Sequence, residues 1–172
     1  NVGRSTKQIQ SLKMDVSESY GDSTNKANVL GIQAFMESVD YASEENFKRK
    51  IQFYLDEAQN KNFLIPNKTV VVFPEYIGTF LVAANEKESL YTAKTLAEGL
   101  QTMVLSNIGG FLKTYLSAPD AVKDKVKYAA FAMKATEMAK IYQDTFAELS
   151  KKYKITIVAG SILLPNPSVE NG

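Results

Sequence analysis

The stretch that most constrains the fold of this chain is an unbroken apolar run at residues 70–73, "VVVF". Such a run predicts a strand that is buried on both faces, as in parallel sheets. Pro74 cannot donate to a sheet ladder, so strand pairing should end there. Glu75 then lies at the carboxyl end of the strand, where open α/β sheets place their ligand chemistry. The alternative is that Glu75 is an ordinary solvated residue of the following loop.

Two further strands are predicted, one on each side of this run. Residues 28–36 are expected to form the first strand, residues 69–73 the second and residues 155–159 the third. Helices separate them, and this alternation is typical of an α/β fold with mostly parallel neighbours. The segments "FPE" and "AGS", at the ends of the second and third strands, should therefore meet at one edge of the sheet.

The predicted helices differ in how clearly the sequence marks them. Ser43 is a good N-cap for the first helix, whose apolar stripe follows helical spacing. The stripe consists of Phe47, Ile51, Tyr54, Leu55 and Ala58. Residues 86–116 are also helical in pattern, with an interruption expected at Gly109 and Gly110. A further helix is predicted over residues 117–152, with Ser117 as its cap.

Composition excludes several classes of function. The 172 residues include 20 basic and 19 acidic side chains, for a net charge of +1, which argues against a nucleic-acid-binding protein. The chain has no cysteine and no histidine, so it can form no disulfide, thiolate metal site or histidine-based acid–base pair. We expect neither a metal nor an organic cofactor. No run of about 20 apolar residues is present, as a membrane-spanning helix would need.

The chain length predicts a single domain, preceded by a polar segment. Residues 1–27 are expected to be an irregular lead or tether, and residues 28–172 to be the folded part. Because the chain begins with Asn1 rather than methionine, we expect that an upstream piece was removed or is missing from this sequence. A cytoplasmic location is the default expectation, with an exported or membrane-tethered protein as the alternative.

Taken in order, these segments resemble the N-terminal half of the catalytic domain of the carbon–nitrogen hydrolase (nitrilase/amidase) superfamily. The resemblance rests on "VLGIQAF" with Gln33, then "VVVFPEY", then "YKITIVAGSI", each on the expected element. It covers roughly residues 28–83 and 135–165. The tripeptide "FPE" alone is unspecific, and the ordered set carries the likeness. The resemblance implies a four-layer αββα sandwich that hydrolyses carbon–nitrogen bonds of amides or nitriles through a glutamate, a lysine and a cysteine.

Within this resemblance, Glu75 is the family's catalytic glutamate, the general base that takes the proton of the cysteine thiol. A thiol is mostly protonated at neutral pH and needs a nearby base, and desolvation raises the basicity of a carboxylate. The lysine and the cysteine would follow the "AGS" strand, but this chain ends at Gly172. Lys68 and Lys154 flank strands at the opposite end of the sheet, so we reject them as substitutes.

The chain is therefore expected to be half of a catalytic domain and inactive alone. Half a sandwich would expose sheet edges and an apolar face, which stable domains avoid. The expected partner is the remaining C-terminal half of the same protein or a second chain. The resemblance also implies a homo-oligomer and a small amide or nitrile substrate, whose identity the sequence does not give.

The residues around Glu75 and the third strand have expected roles of two kinds. The resemblance implies that Tyr76 and Phe80 contact the substrate, with packing of the loop onto the sheet as the alternative. Gly160 and Ser161 are expected to serve backbone geometry, because small residues let neighbouring segments approach closely.

A helical insertion at about residues 85–130 has no counterpart in the plain family pattern. We favour a cover over the mouth of the active site. The alternatives are an oligomer contact, or a helix lying in a membrane interface with Met103, Val104, Phe111 and Leu112 on its buried side.

Three functions compete at this stage. The first is a cysteine-dependent amidase or nitrilase. The second is a non-catalytic nitrilase-like binding or structural subunit, which the absence of cysteine favours. The third is an unrelated α/β binding domain, in which "FPE" and "AGS" are spaced by accident.

Overall fold

The computed structural model describes Met14, residues 18–21, residues 26–163 and Pro165. The described part is a mixed α/β structure with a small parallel sheet, as the alternation of elements predicts. Its strands are β1 (Asn28–Gly31), β2 (Thr69–Val72) and β3 (Thr156–Val158), in the order β1-β2-β3. Most of the predicted lead at residues 1–27 and most of residues 164–172 lie outside the described residues.

The register aligns the three strands at their centres. Val70 is paired with Val29 on one side and with Thr156 on the other. The first strand is shorter than predicted. After Gly31 only the Ile32 backbone N–H still bonds to the sheet, 2.9 Å from the carbonyl oxygen of Val72, and the chain then turns away.

The described residues also form six α-helices and two short 3-10 turns. The turns span Ser38–Tyr41 and Thr79–Ala83. The helices are α1 (Glu44–Asn60), α2 (Glu88–Tyr91), α3 (Leu96–Ser106), α4 (Ile108–Leu116), α5 (Lys125–Ala132) and α6 (Ala135–Tyr153).

Helix α1 confirms the prediction from sequence. The Ser43 Oγ accepts a hydrogen bond from the Asn46 backbone N–H at 3.2 Å, as an N-cap should. All five residues of the predicted apolar stripe are buried. The local pattern was sufficient here because cap and stripe both act within one helix.

The helices after residue 86 depart from the prediction at their ends. The break falls at Asn107, between α3 and α4, and the two glycines lie in the first turn of α4. Ser117 is not the N-cap of the next helix. It is the C-cap of α4, and its hydroxyl donates back to the Thr114 carbonyl at 3.1 Å. Asp124 is the cap instead, accepting from the Lys127 N–H at 3.0 Å. The long helix predicted over residues 117–152 is therefore wrong: it is two helices, α5 and α6.

Helices α1 and α6 cover one face of the sheet. Val71 of β2 is fully buried in a core that includes Leu55 of α1 and Leu149 of α6. The ring of Phe73 lies 5.5 Å from that of Phe146, measured between centroids. Burying each of these aliphatic or aromatic side chains stabilises the fold by about 1.5–3 kcal/mol relative to leaving it exposed.

The opposite face of the sheet is open to solvent in the described residues. Val29 is 73% exposed and Val158 is 50% exposed, while Val70 and Val72 between them are half-buried. The sequence predicts that β2 is buried on both faces, whereas the described residues cover only one of them. Helices cover one face of this sheet, although parallel sheets normally have both faces covered.

Candidate functional site

The carboxyl ends of β2 and β3 meet, as predicted from their parallel direction. The Phe73 N–H donates to the carbonyl oxygen of Val158 at 2.9 Å. Beyond the strands, the Ser161 backbone N–H and hydroxyl both donate to the carbonyl oxygen of Glu75. The Gly78 N–H in turn donates to the Ser161 carbonyl at 3.2 Å. These bonds fix the backbone around Glu75.

Gly160 allows this close approach. Its φ is +74°, and a Cβ placed there would lie 2.1 Å from the carbonyl oxygen of Pro74. No side chain fits such a gap, so the position needs glycine for both its conformation and its space. The Tyr142 hydroxyl donates to the carbonyls of Ala159 and Gly160 at 2.8 and 3.1 Å. The backbone role expected for Gly160 and Ser161 is confirmed.

Glu75 lies three residues beyond the end of β2, in the turn closed by the bond from the Ile77 N–H to the Pro74 carbonyl at 3.2 Å. Its side chain is exposed. Within residues 26–163 its carboxylate makes no hydrogen bond or ion pair, so it is available to a group from outside. Its role as a general base stays a prediction.

The structure separates the two residues expected to contact the substrate. Phe80 lines a cleft, and its ring centroid lies 5.7 Å from that of Tyr41. Tyr76 is exposed and does not line this cleft. Of the two, Phe80 is therefore in a position to line a binding site formed by this chain.

The cleft has a volume of about 400 Å³, within the range of small-molecule sites. It lies between the segments that follow β1 and β2 on one side and helices α2 and α3 on the other. Its wall is mainly apolar and is formed by Met36, Tyr41, Phe80, Leu90, Leu100 and Met103. Its polar lining residues include Glu37, Ser38, Lys94 and Thr95.

A buried ion pair holds the 3-10 turn that contributes Tyr41 to this wall. The Lys50 Nζ lies 3.5 Å from Asp40 Oδ2, and both side chains are fully buried. The same carboxylate oxygen accepts from the Glu37 N–H at 2.7 Å. Burial, followed by the nearby charge of Asp40, raises the pKa of Tyr41 well above its usual value. The Tyr41 hydroxyl is therefore neutral over the physiological range.

A second polar cluster joins the insertion to the start of α6. The Lys134 Nζ lies 3.1 Å from Glu86 Oε1 and 2.6 Å from Glu137 Oε2, and donates to the Ala84 carbonyl at 2.9 Å. The Lys134 side chain is 11% exposed and that of Glu86 is 5% exposed. The Asn107 amide donates to both oxygens of Glu86 at 3.0 Å. The cluster therefore ties the α3–α4 junction to α6.

The same cluster changes the titration of Glu137. Partial burial opposes its ionisation, but hydrogen bonds from Lys134 and Asn85 and the charge of Lys134 outweigh that effect. The pKa of Glu137 is consequently below its ordinary value. The carboxylate therefore stays ionised at neutral pH and keeps its bond to Lys134.

Sequence reasoning missed this cluster and most of the cleft wall. Glu86 lies in the polar run "NEKES", which is typical of a solvated loop, so no local pattern marks it. Lys68 and Lys154, which the sequence reasoning rejected, do lie at the amino ends of β2 and β3. The Asn67 N–H donates to the Lys154 carbonyl at that edge.

The insertion contributes to the cleft with one part and exposes apolar side chains with another. Met103 of α3 is buried, and Phe111 of α4 packs against the core of this chain. The membrane-interface interpretation, which placed both on a lipid-facing side, is therefore wrong for these residues. Leu112, which the same interpretation placed on that side, does face solvent, in a stripe with Leu105, Ile108 and Leu116.

The described residues lack two features, a metal-binding cluster and a membrane-spanning helix. No three histidine, cysteine, aspartate or glutamate side chains there are grouped so as to hold a metal ion. No helix in the same residues has the length and apolarity needed to cross a bilayer.

No family model, curated protein or solved structure matches this chain.

Proposed function

We propose that this chain is the N-terminal half of a carbon–nitrogen hydrolase of the amidase or nitrilase type, with Glu75 as its general base. The observation that carries the proposal is the position of Glu75. It follows the central strand at the carboxyl edge of a parallel sheet, on a backbone fixed by Ser161. Its carboxylate has no partner among the described residues. An unengaged carboxylate on a fixed backbone at this edge suits acid–base chemistry.

In the proposed reaction Glu75 accepts the thiol proton of a cysteine that a second half supplies. The thiolate forms a bond to the carbonyl carbon of an amide, and a lysine of that half donates to the developing oxyanion. The protonated Glu75 then gives its proton to the leaving nitrogen as the carbon–nitrogen bond breaks. Water hydrolyses the resulting thioester, with Glu75 accepting the proton of the water.

The exposed sheet face supports the same proposal. A second sheet packed about 10 Å away on Val29 and Val158 would cover that face and complete a four-layer αββα sandwich. The covering layer would also shield Glu75 from solvent.

A non-catalytic subunit with the same architecture is the second candidate. It is favoured by one observation, the absence of cysteine from all 172 residues. In that case Glu75 would remain solvated, and the partner layer would serve binding or assembly only.

The deciding experiment uses the natural protein purified from its source. Its intact mass under denaturing conditions should lie well above the 19.0 kDa of this chain, or a second polypeptide should co-purify. Amide hydrolysis should then fall at least about 100-fold in kcat/KM in the Glu75→Gln variant, because general-base catalysis contributes about that much.

The matched control is Glu45→Gln, which neutralises an exposed carboxylate in the first turn of α1. It should leave kcat/KM unchanged. A single species of 19.0 kDa without hydrolysis would refute the enzyme, and full activity of Glu75→Gln would refute the assigned base.

A further inference from the structure

The described residues form a mostly apolar cleft of about 400 Å³ between the 3-10 turns and helices α2 and α3. The cleft is open to solvent, so its apolar wall is in contact with water, and a ligand that covered this wall would be stabilised by the hydrophobic effect. The cluster around Lys134 and the buried Asp40–Lys50 pair fix the elements on its two sides. Because its walls are held in place, the cleft stays open and can serve as a binding site. The residues that line it indicate which ligand it binds.

We infer that this cleft binds the linear alkyl chain of the substrate, so that the insertion selects amides with medium-length apolar acyl groups. The inference rests on the proposed function. Phe80 forms part of the wall and lies five residues after Glu75 in the chain, while Glu75 itself is not a lining residue. Met103 is the most buried residue of the wall and marks its deep part.

Gly99 is the second observation that points to a chain in this cleft. It lies inside helix α3, where glycine costs about 0.5–1 kcal/mol relative to alanine. It lines the cleft, and a Cβ there would meet only Leu90 and Ala93, at 3.6 and 3.9 Å. Packing therefore does not require glycine. Its missing side chain instead widens the cleft.

The cleft also has a polar part. Lys94 and Thr95 lie at the N-terminal side of α3, and Lys94 is exposed without an ion-pair partner among residues 26–163. The Tyr91 hydroxyl is occupied by the Ala83 carbonyl at 2.6 Å. In the inferred complex the apolar part of the wall holds the alkyl chain, and the amide group lies outside that part, at Glu75.

The test measures binding by the natural, complete protein of a series from butyramide to octanamide. Methionine methyl groups labelled with ¹³C report the position, since Met36 and Met103 line the cleft whereas Met138 lies in the core below the sheet. Octanamide should shift the signals of Met36 and Met103 and leave that of Met138. Each added methylene should tighten binding about fourfold until the cleft is filled.

Gly99→Leu is the decisive variant, because it puts a side chain into the cleft and leucine favours helices. It should weaken octanamide at least tenfold and leave butyramide nearly unchanged. Gly109→Leu makes the same change in α4, where a Cβ would meet nothing within 4 Å, and should have no effect.

The outcomes separate this inference from the proposed function. Chain-length-dependent binding without hydrolysis would uphold the cleft and refute the enzyme. Hydrolysis that is indifferent to chain length, or to Gly99→Leu, would overturn the cleft assignment and leave the enzyme standing. Shifts confined to Met138 would also overturn it.

Discussion

At the scale of single residues, two buried threonines differ in whether their hydroxyls are satisfied. The Thr145 Oγ1, on α6, has no hydrogen-bond partner among the described residues. The Thr69 Oγ1 accepts from the Ile65 N–H at 2.7 Å and donates to Asn28 Oδ1 at 2.6 Å. A buried polar group without a partner carries its full desolvation penalty, whereas a bonded one does not.

We expect Thr145→Val to stabilise the protein by about 1 kcal/mol, because it removes an unsatisfied hydroxyl at nearly constant shape. Thr69→Val, the matched control, should destabilise it by about 1–3 kcal/mol, since it strands the Ile65 N–H and the Asn28 side chain. Thermal unfolding measures both, and the two midpoints should move in opposite directions. Equal loss of stability in both variants would contradict the assignment.

At the scale of elements, the cluster around Lys134 holds the insertion in place. Lys134→Met should destabilise the protein by about 3 kcal/mol, because the buried Glu86 carboxylate loses its cation and keeps only Asn107. Urea unfolding measures this loss, and hydrogen exchange should show reduced protection in α3 and α4.

Lys140→Met provides the control for that variant. Lys140 forms an exposed ion pair with Asp144 one turn along α6, and such pairs contribute about 0.3–0.5 kcal/mol. Similar losses in both variants would mean that Glu86 is well solvated and that the cluster does not secure the insertion.

The elements also show how much of the structure can be predicted from the sequence. Ser43 and the stripe from Phe47 to Ala58 sufficed to place α1, since every signal is local. The meeting of "FPE" with "AGS" followed from strand direction alone. The prediction at Ser117 is wrong because a serine hydroxyl can bond to a carbonyl of the preceding helix as readily as it caps the next helix. The Glu86–Lys134 pair and the cleft depend on tertiary packing, which no local pattern encodes.

At the scale of the whole molecule, the sheet has one covered face and one open face. The open face carries Val29, Val70, Val72 and Val158. Contiguous apolar patches on soluble proteins mark interaction sites. Both outer strands of the described sheet also present unpaired edges, which favour pairing with another chain.

We expect residues 1–172, produced alone, to self-associate and to bind an apolar dye such as anilinonaphthalene sulfonate. The double variant Val29→Lys, Val158→Lys should reduce both effects, because two charges interrupt the patch. Light scattering and dye fluorescence measure them. Leu105→Lys with Leu116→Lys, on the exposed stripe of the insertion, is the comparison: if it alone abolishes association, the contact lies on the insertion and not on the sheet.

The contact between Gly160 and the Pro74 carbonyl has a consequence for inheritance. Every amino acid other than glycine carries a Cβ, and at this position that atom would fall 2.1 Å from a carbonyl oxygen. Any missense change in this codon, whatever base is altered, would therefore force the ends of β2 and β3 apart. In a saturation library selected for function, this codon should tolerate only its silent alleles.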